Sequence, residues 1–221
     1  MEKKITRELL RWNHFCINHA LKIQRFHYFQ EADITRHVCW HSLSRLMGNH
    51  HSISQENRLV LSEQLISLHK KCSDTFQDYS NTVIRPYDSY LVLACHNLWE
   101  LWHETSNDKY FWMAVFNLSK ALKDSPASYN LRLLIIKFLN YSGAVGASQV
   151  FHADLELKHV QLDSMGYILT KHIQSSAHFH TAIGMFSSHL KFFNSNYKDV
   201  SPFVYCILES TWMNPKYSIR M

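Results

Sequence analysis

Apolar residues recur at spacings of three and four along most of this chain, the period of one face of an α-helix. The first such stripe is Ile5, Leu9, Trp12, Cys16, Ala20 and Ile23, within a helix expected from Ile5 to Phe29. A second helix is expected from Asp33, whose carboxylate suits an N-cap, to Met47. There Gly48 supplies the left-handed stop that helix C-termini favour. Asn49 to Ser54 is polar and reads as a turn. Ser52 and Gln55 have the spacing of a capping box, ahead of a third helix whose face is Leu61, Leu65, Leu68 and Cys72. Ser73 to Arg85 is polar, and Pro86 disfavours helix in the residue before it, so this stretch reads as a connection.

Beyond Pro86 the pattern sharpens. Leu91, Ala94, Leu98 and Leu101 line one helix, and Ser106, Asn107 and Asp108 form a turn. Phe111, Ala114, Val115, Leu118 and Ala121 line the next helix, which Ser125-Pro126 ends. Leu131, Leu134, Ile135 and Phe138 follow, and the segment from Gly143 to Gly146 breaks the chain. Val150, Phe151 and Leu155 predict a short partner. A last pair combines Leu162, Met165, Leu169 and Ile173 with Phe179, Ile183, Phe186, Leu190 and Phe193, closed by Asn194-Ser195-Asn196.

Helix, tight turn and helix thus recur about every 35 to 40 residues, the signature of a helical repeat array. One hairpin cannot bury its own apolar faces, whereas stacked hairpins share a continuous core. The clearest repeat fits the tetratricopeptide pattern. Leu98 and Leu101 take the W-x2-L places, Ala114 and Leu118 take A-x3-F, and Ala121 and Pro126 fall where the small residue and terminal proline belong. Trp102 replaces the glycine and Thr105 the tyrosine. The expected fold class is all-α, a tetratricopeptide-like solenoid of helical hairpins wound into a superhelix. Its organisation is a helical segment over 1–81, hairpins over 82–200, and an incomplete repeat or tail over 201–221.

Composition agrees. Five Gly and 4 Pro in 221 residues suit long helices and short turns, not an all-β fold. With 46% hydrophobic and 19% charged residues the chain does not read as disordered. The net charge of +5 is mild and its basic residues are scattered, so no direct nucleic-acid binding is expected. No apolar run approaches the ~20 residues of a membrane span, and Met1 to Leu10 has no signal-peptide core. The five cysteines are odd in number and widely spaced, with no CxxC, and read as reduced thiols of a cytoplasmic protein.

Histidine is abundant, with 16 copies. His37 and His41, four apart on a helix, share a face and could grip one metal ion, with Cys39 directed elsewhere. His14 and His19 fit a shared face less well, and His178 and His180 diverge. Without HExxH or an evident third ligand, boundary and surface histidines are the simpler reading. Cys39-His41 and Cys95-His96 are near in sequence, which is not what a nucleophile and its base require. No GxSxG or P-loop occurs, and Gly143-Ala144-Val145-Gly146 is too short to cradle a nucleotide. No catalytic, cofactor-binding or metal residue is assigned. The 13 Phe, 11 Tyr and 6 Trp are expected to pack between hairpins, as at Tyr110-Phe111-Trp112 and Phe192-Phe193. The functional alternative for them is an aromatic concave face for a partner helix.

Three stretches carry a family resemblance: Pro86 to Thr105 (PYDSYLVLACHNLWELWHET), His159 to His172 (HVQLDSMGYILTKH) and Leu190 to Asp199 (LKFFNSNYKD). In content and order they resemble the non-catalytic auxiliary subunit of the NatB N-terminal acetyltransferase, over roughly Pro86 to Asp199. From Met1 to Asn81 only helical character is compatible. The resemblance implies a superhelix that embraces a small catalytic subunit, stabilises it and helps place it on the ribosome. It further implies that acetyl-CoA binds the catalytic partner, and that the complex acetylates nascent chains beginning with Met followed by Asp, Glu, Asn or Gln. Family members are considerably longer, so the chain is expected to be a fragment, a short form or a divergent copy. Its end, Trp212-Met213-Asn214-Pro215, lacks a recognisable capping helix. The competing class is a peptide-binding tetratricopeptide adaptor unrelated to acetylation, which in its carboxylate-clamp form needs Lys, Arg and Asn converging on a concave face.

Overall fold

A computed structural model describes residues 30–50, 53–76, 82–158 and 160–212, and these fold as helices joined by short turns, with no strand among them. The helix expected from Ile5 to Phe29 and the capping residue Ser52 lie outside the described residues. No helix of the described residues is long and apolar enough to cross a membrane. Two compact units meet in sequence between Phe138 and Leu139.

The first unit contains α1 (Glu31–Leu46), α2 (Gln55–Thr75), α3 (Asp88–Thr105), α4 (Asp108–Asp124) and most of α5 (Tyr129–Tyr141). α1 starts on Gln30 rather than Asp33. Asp33 instead sits in the first turn, where its charge complements the helix dipole. Gly48 has φ +80°, and its N–H donates to the Arg45 carbonyl at 2.9 Å, the expected left-handed stop. The N-cap of α2 is Ser54, whose Oγ accepts the Asn57 N–H at 3.4 Å, so the box anticipated at Ser52 and Gln55 is displaced by two residues.

α3 packs against α1, α2 and α4, which is why its buried residues lie on nearly every side, from Asp88 and Tyr90 to Leu98 and Leu101. One core cluster joins Ile34 of α1, Leu65, Leu68 and Cys72 of α2, and Tyr87, Tyr90, Leu93 and Ala94. On the other side of α3, its hairpin with α4 turns through Ser106, at φ +54°, and Asn107, whose side chain accepts the Lys109 N–H at 3.1 Å. The tetratricopeptide positions Leu98, Leu101, Ala114, Leu118 and Ala121 are all buried. Trp102, in the glycine place, packs at a tilt against Phe111 with ring centroids 4.8 Å apart and donates from Nε1 to Asp108 at 3.1 Å. Phe138 of α5 closes this end, 4.8 Å from Trp99 and 5.5 Å from Phe111. The small residues on α4 set how near the hairpin helices come. Ala114→Leu therefore overpacks a fully buried site and is expected to cost about 1–3 kcal/mol, read as a lower denaturant midpoint.

The second unit holds the end of α5, then α6 (Val145–Ala153), α7 (Val160–Met165), α8 (Tyr167–Ser175) and α9 (Phe179–Trp212). Gly143, at φ +78°, makes the expected break, but Gly146 is inside α6. α6 buries Val145 and Ser148, while Val150 is exposed. The stripe Leu162, Met165, Leu169 and Ile173 is divided between α7 and α8 by Gly166. A Cβ there would collide with the Leu162 carbonyl oxygen and come within 2.7 Å of the His189 ring. Leu169 and Ile173 form a small core with Val145 and Ala182, with Met185 packed against it. α9 does not close at Asn194-Ser195-Asn196 but runs on through them. Its expected core stripe, Phe179, Ile183, Phe186, Leu190 and Phe193, is exposed, because the helix is held by the neighbouring face that carries Ala182 and Met185.

Candidate functional site

The polar chemistry of the described residues concentrates where α1 and α2 meet α3. Arg45 of α1 reaches across to α3, donating to Asn97 Oδ1 at 2.7 Å and pairing through both guanidinium nitrogens with Glu100. One turn further along α3, Glu104 receives both terminal nitrogens of Arg58 from α2. Arg58 is almost wholly buried, and the Glu104 hydrogen bond raises its pKa further, against the cost of burial. These are two-toothed Arg–carboxylate pairs that fix helix register as well as charge.

Asp88 opens α3 and is buried. Its Oδ2 accepts the Ser125 hydroxyl at 2.6 Å from the end of α4, and its Oδ1 accepts from His69 Nε2 of α2 at 3.3 Å. A serine, an aspartate and a histidine are together, but in the wrong order for acyl transfer. The carboxylate stands between the other two, so the imidazole does not reach the hydroxyl as a base. The arrangement ties three helices and activates nothing.

His37 and His41 are brought together as their spacing implies, with ring centroids 4.6 Å apart, and His50 lies 6.1 Å from His41. All three are buried, and Cys39 is exposed, directed away from them. A hydrogen bond of 2.9 Å joins His37 Nδ1 to the Tyr90 hydroxyl. Burial, then the neighbouring His37 and His50, lowers the His41 pKa from 6.5 to about 3. Among the described residues no three His, Cys, Asp or Glu side chains are disposed to hold a metal ion. His178 and His180 are exposed, and His14 and His19 lie outside the described residues.

The two buried thiols, Cys72 and Cys95, do not resemble nucleophiles. Burial pushes Cys72 up to about 11 and Cys95 higher still, so neither carries thiolate character near neutral pH. His96, beside Cys95 in sequence, is itself lowered by burial and by the Arg45 and Lys137 charges. Gly143-Ala144-Val145-Gly146 forms a turn entering α6, with the Ala144 N–H donating to the Leu139 carbonyl at 2.9 Å. Arg45 and Arg58 are engaged with Glu100 and Glu104, and Asn97 Oδ1 accepts from Arg45. Sequence reasoning missed these pairs and Asp88, because their partners lie 19 to 55 residues apart and no spacing rule points to them.

A family model described as the N-acetyltransferase B complex (NatB) non catalytic subunit matches residues 17–209. The match begins well before Pro86, so α1 and α2, which carry no motif distinctive by eye, lie within it too. Among relatives, the chain is 28% identical over 171 residues to a human protein named N-alpha-acetyltransferase 25, NatB auxiliary subunit, covering 77% of this chain and 18% of that one. The rat protein of the same name matches equally, and a Drosophila pseudoobscura protein named Phagocyte signaling-impaired protein is 26% identical over 170 residues. The aligned stretch thus spans less than a fifth of the length of these relatives.

Proposed function

Because the chain belongs to the family of non-catalytic subunits of the N-acetyltransferase B complex, we propose that it contributes one stretch of helical scaffold to such a complex. The observation that carries this reading is the family match over residues 17–209. In it, the chain binds a catalytic acetyltransferase subunit through a helical surface and stabilises it. The complex acetylates nascent chains that begin with Met followed by Asp, Glu, Asn or Gln, at the ribosome and in the cytoplasm. Acetyl-CoA occupies the catalytic partner. Stacked hairpins suit this role because they build extended surfaces able to wrap a smaller protein. The packing at the α1–α2–α3 junction supports it further. The two Arg–Glu pairs and Asp88 set helix positions, which is what a scaffold requires of its polar residues.

Two measurements test the proposal together. The purified chain alone is expected not to acetylate a Met-Asp peptide with acetyl-CoA, and turnover by it would overturn the scaffold role. The catalytic subunit of the complex, co-expressed with this chain or with a version extended to the relatives' length, is expected to be retained on the tagged scaffold and to be more heat-resistant. If neither form retains it, the peptide-adaptor reading replaces this one.

A further inference from the structure

Two histidines of the second unit stand where α9 meets the helices that hold it. His152 lies in the last turn of α6, half-buried, and its Nε2 is buried with no hydrogen-bond partner among the described residues. His189 belongs to α9, and its ring is held against Gly166, the residue between α7 and α8. A Cβ at that glycine would come within 2.7 Å of His189 Cε1 and 3.0 Å of Nε2, so the missing side chain makes room for the imidazole. Among the described residues the core that fastens α9 is small: Ala182, with Met185 beside it, against Val145, Leu169 and Ile173. A contact of 3.4 Å from Thr181 Oγ1 to Gln149 Oε1 ties α9 to α6, long for a hydroxyl hydrogen bond.

We propose that α9 is held on α6 and α8 by an acid-released latch, closed while His152 and His189 are neutral and opened when they take up protons. A neutral imidazole tolerates a half-buried seam. An imidazolium whose N–H has no acceptor there does not, and a second imidazolium beside it adds repulsion. Opening the seam gives both rings water. α6 carries no other ionisable side chain, and Asp154, Glu156 and Lys158 follow it in the chain. α7 contributes Asp163, α8 contributes Lys171 and His172, and α9 contributes His180, His189 and Lys191. His178, in the turn before α9, has its Cε1 3.9 Å from where a Cβ on Gly146 of α6 would stand. Burial, then the His189 charge, lowers the His152 pKa below 6.5. The open seam therefore binds the proton before the closed one does. The latch is at full strength above pH 6.5 and weakens as the pH falls through that value. Between pH 7.5 and 5.5 one such histidine raises the opening equilibrium by no more than about tenfold, the ratio of its proton binding in the open form at the two values.

The test is amide hydrogen exchange of the full chain at pH 7.5 and 5.5, read by mass spectrometry on peptides spanning 179–190 and corrected for the intrinsic pH dependence of exchange. Protection of this stretch is expected to fall several-fold more in the wild type than in His152→Leu or His152→Gln, neither of which titrates. His189→Gln removes the second charge and is expected to give an intermediate fall. The readout is the ratio between the two pH values within each chain, so a uniform loss of protection in a variant does not disguise it. The other histidines titrate alike in the wild type and the His152 variants and cancel in the comparison. Equal protection of the wild type at the two pH values overturns the proposal, as does a fall of the same size in both His152 variants.

Discussion

Asp88→Ala is expected to lower the stability of the first unit by about 3 kcal/mol, seen as a large fall in the urea midpoint. The carboxylate is 3% exposed and accepts from two helices besides its own. Without it the Ser125 hydroxyl, itself 3% exposed, and the His69 ring both lose their acceptor inside the fold. An unmet buried donor costs about 1–3 kcal/mol, and the first turn of α3 also loses a negative charge at its positive end. Ser125→Ala removes one donor and leaves the His69 contact, so about 1 kcal/mol is expected. The double variant is expected to lose little more than Asp88→Ala alone, because both substitutions delete the same bond. Strict additivity would mean that the serine and the aspartate do not share this interaction.

The α3–α4 hairpin was legible because its sequence periodicity and its tertiary surroundings agree. Leu98, Leu101, Ala114, Leu118 and Ala121 recur at helical spacing, and neighbours on both sides bury them. α9 shows what periodicity leaves open. The stripe from Phe179 to Phe193 identified a helix correctly but faces outward, since spacing tells which residues share a face and not what covers it. The small residue Ala182, which lets α9 approach α8, stands in no conspicuous pattern. Asn194-Ser195-Asn196 reads as a stop by local preference, yet three polar residues on an exposed helical turn cost only tenths of a kcal/mol each, less than the helix around them supplies. Capping was legible to within two residues at α2, where Ser54 stands in place of Ser52 because several hydroxyls near a helix start compete for the same N–H groups, and to within three at α1, where Gln30 stands in place of Asp33. The junction of α1 and α2 with α3 was hidden for another reason. Arg45 and Glu100, or Arg58 and Glu104, look like solvated surface charges until the fold brings them together.

The same junction makes the first unit sensitive to acid. His41 is 6% exposed, between the rings of Trp40, His37 and His50, and its Nδ1 is buried without a hydrogen-bond partner. The groups around it that could respond to a charge are His37 on the same helix, His50 in the following turn, and Tyr90 of α3, bonded to His37. None is an acid able to stabilise an imidazolium. The His41 pKa is accordingly about 3 in the folded chain, against 6.5 unfolded. The sign follows from which state takes the proton first. Below pH 6.5 the unfolded chain binds it and the folded chain does not, so stability is full above pH 6.5 and falls as the pH drops towards 3. The limiting slope is about 1.4 kcal/mol per pH unit, which amounts to about 3 kcal/mol by pH 4. His41→Leu keeps a similar volume, removes the titration and gives up no hydrogen bond at Nδ1. Urea midpoints at pH 7, 6, 5 and 4 are expected to fall steeply in the wild type and more gently in the variant, with the two curves diverging from near pH 6. Carboxylates titrate equally in both chains and cancel in that difference. Parallel curves would show that the imidazole is charged in the folded state and that α1 opens to water around it.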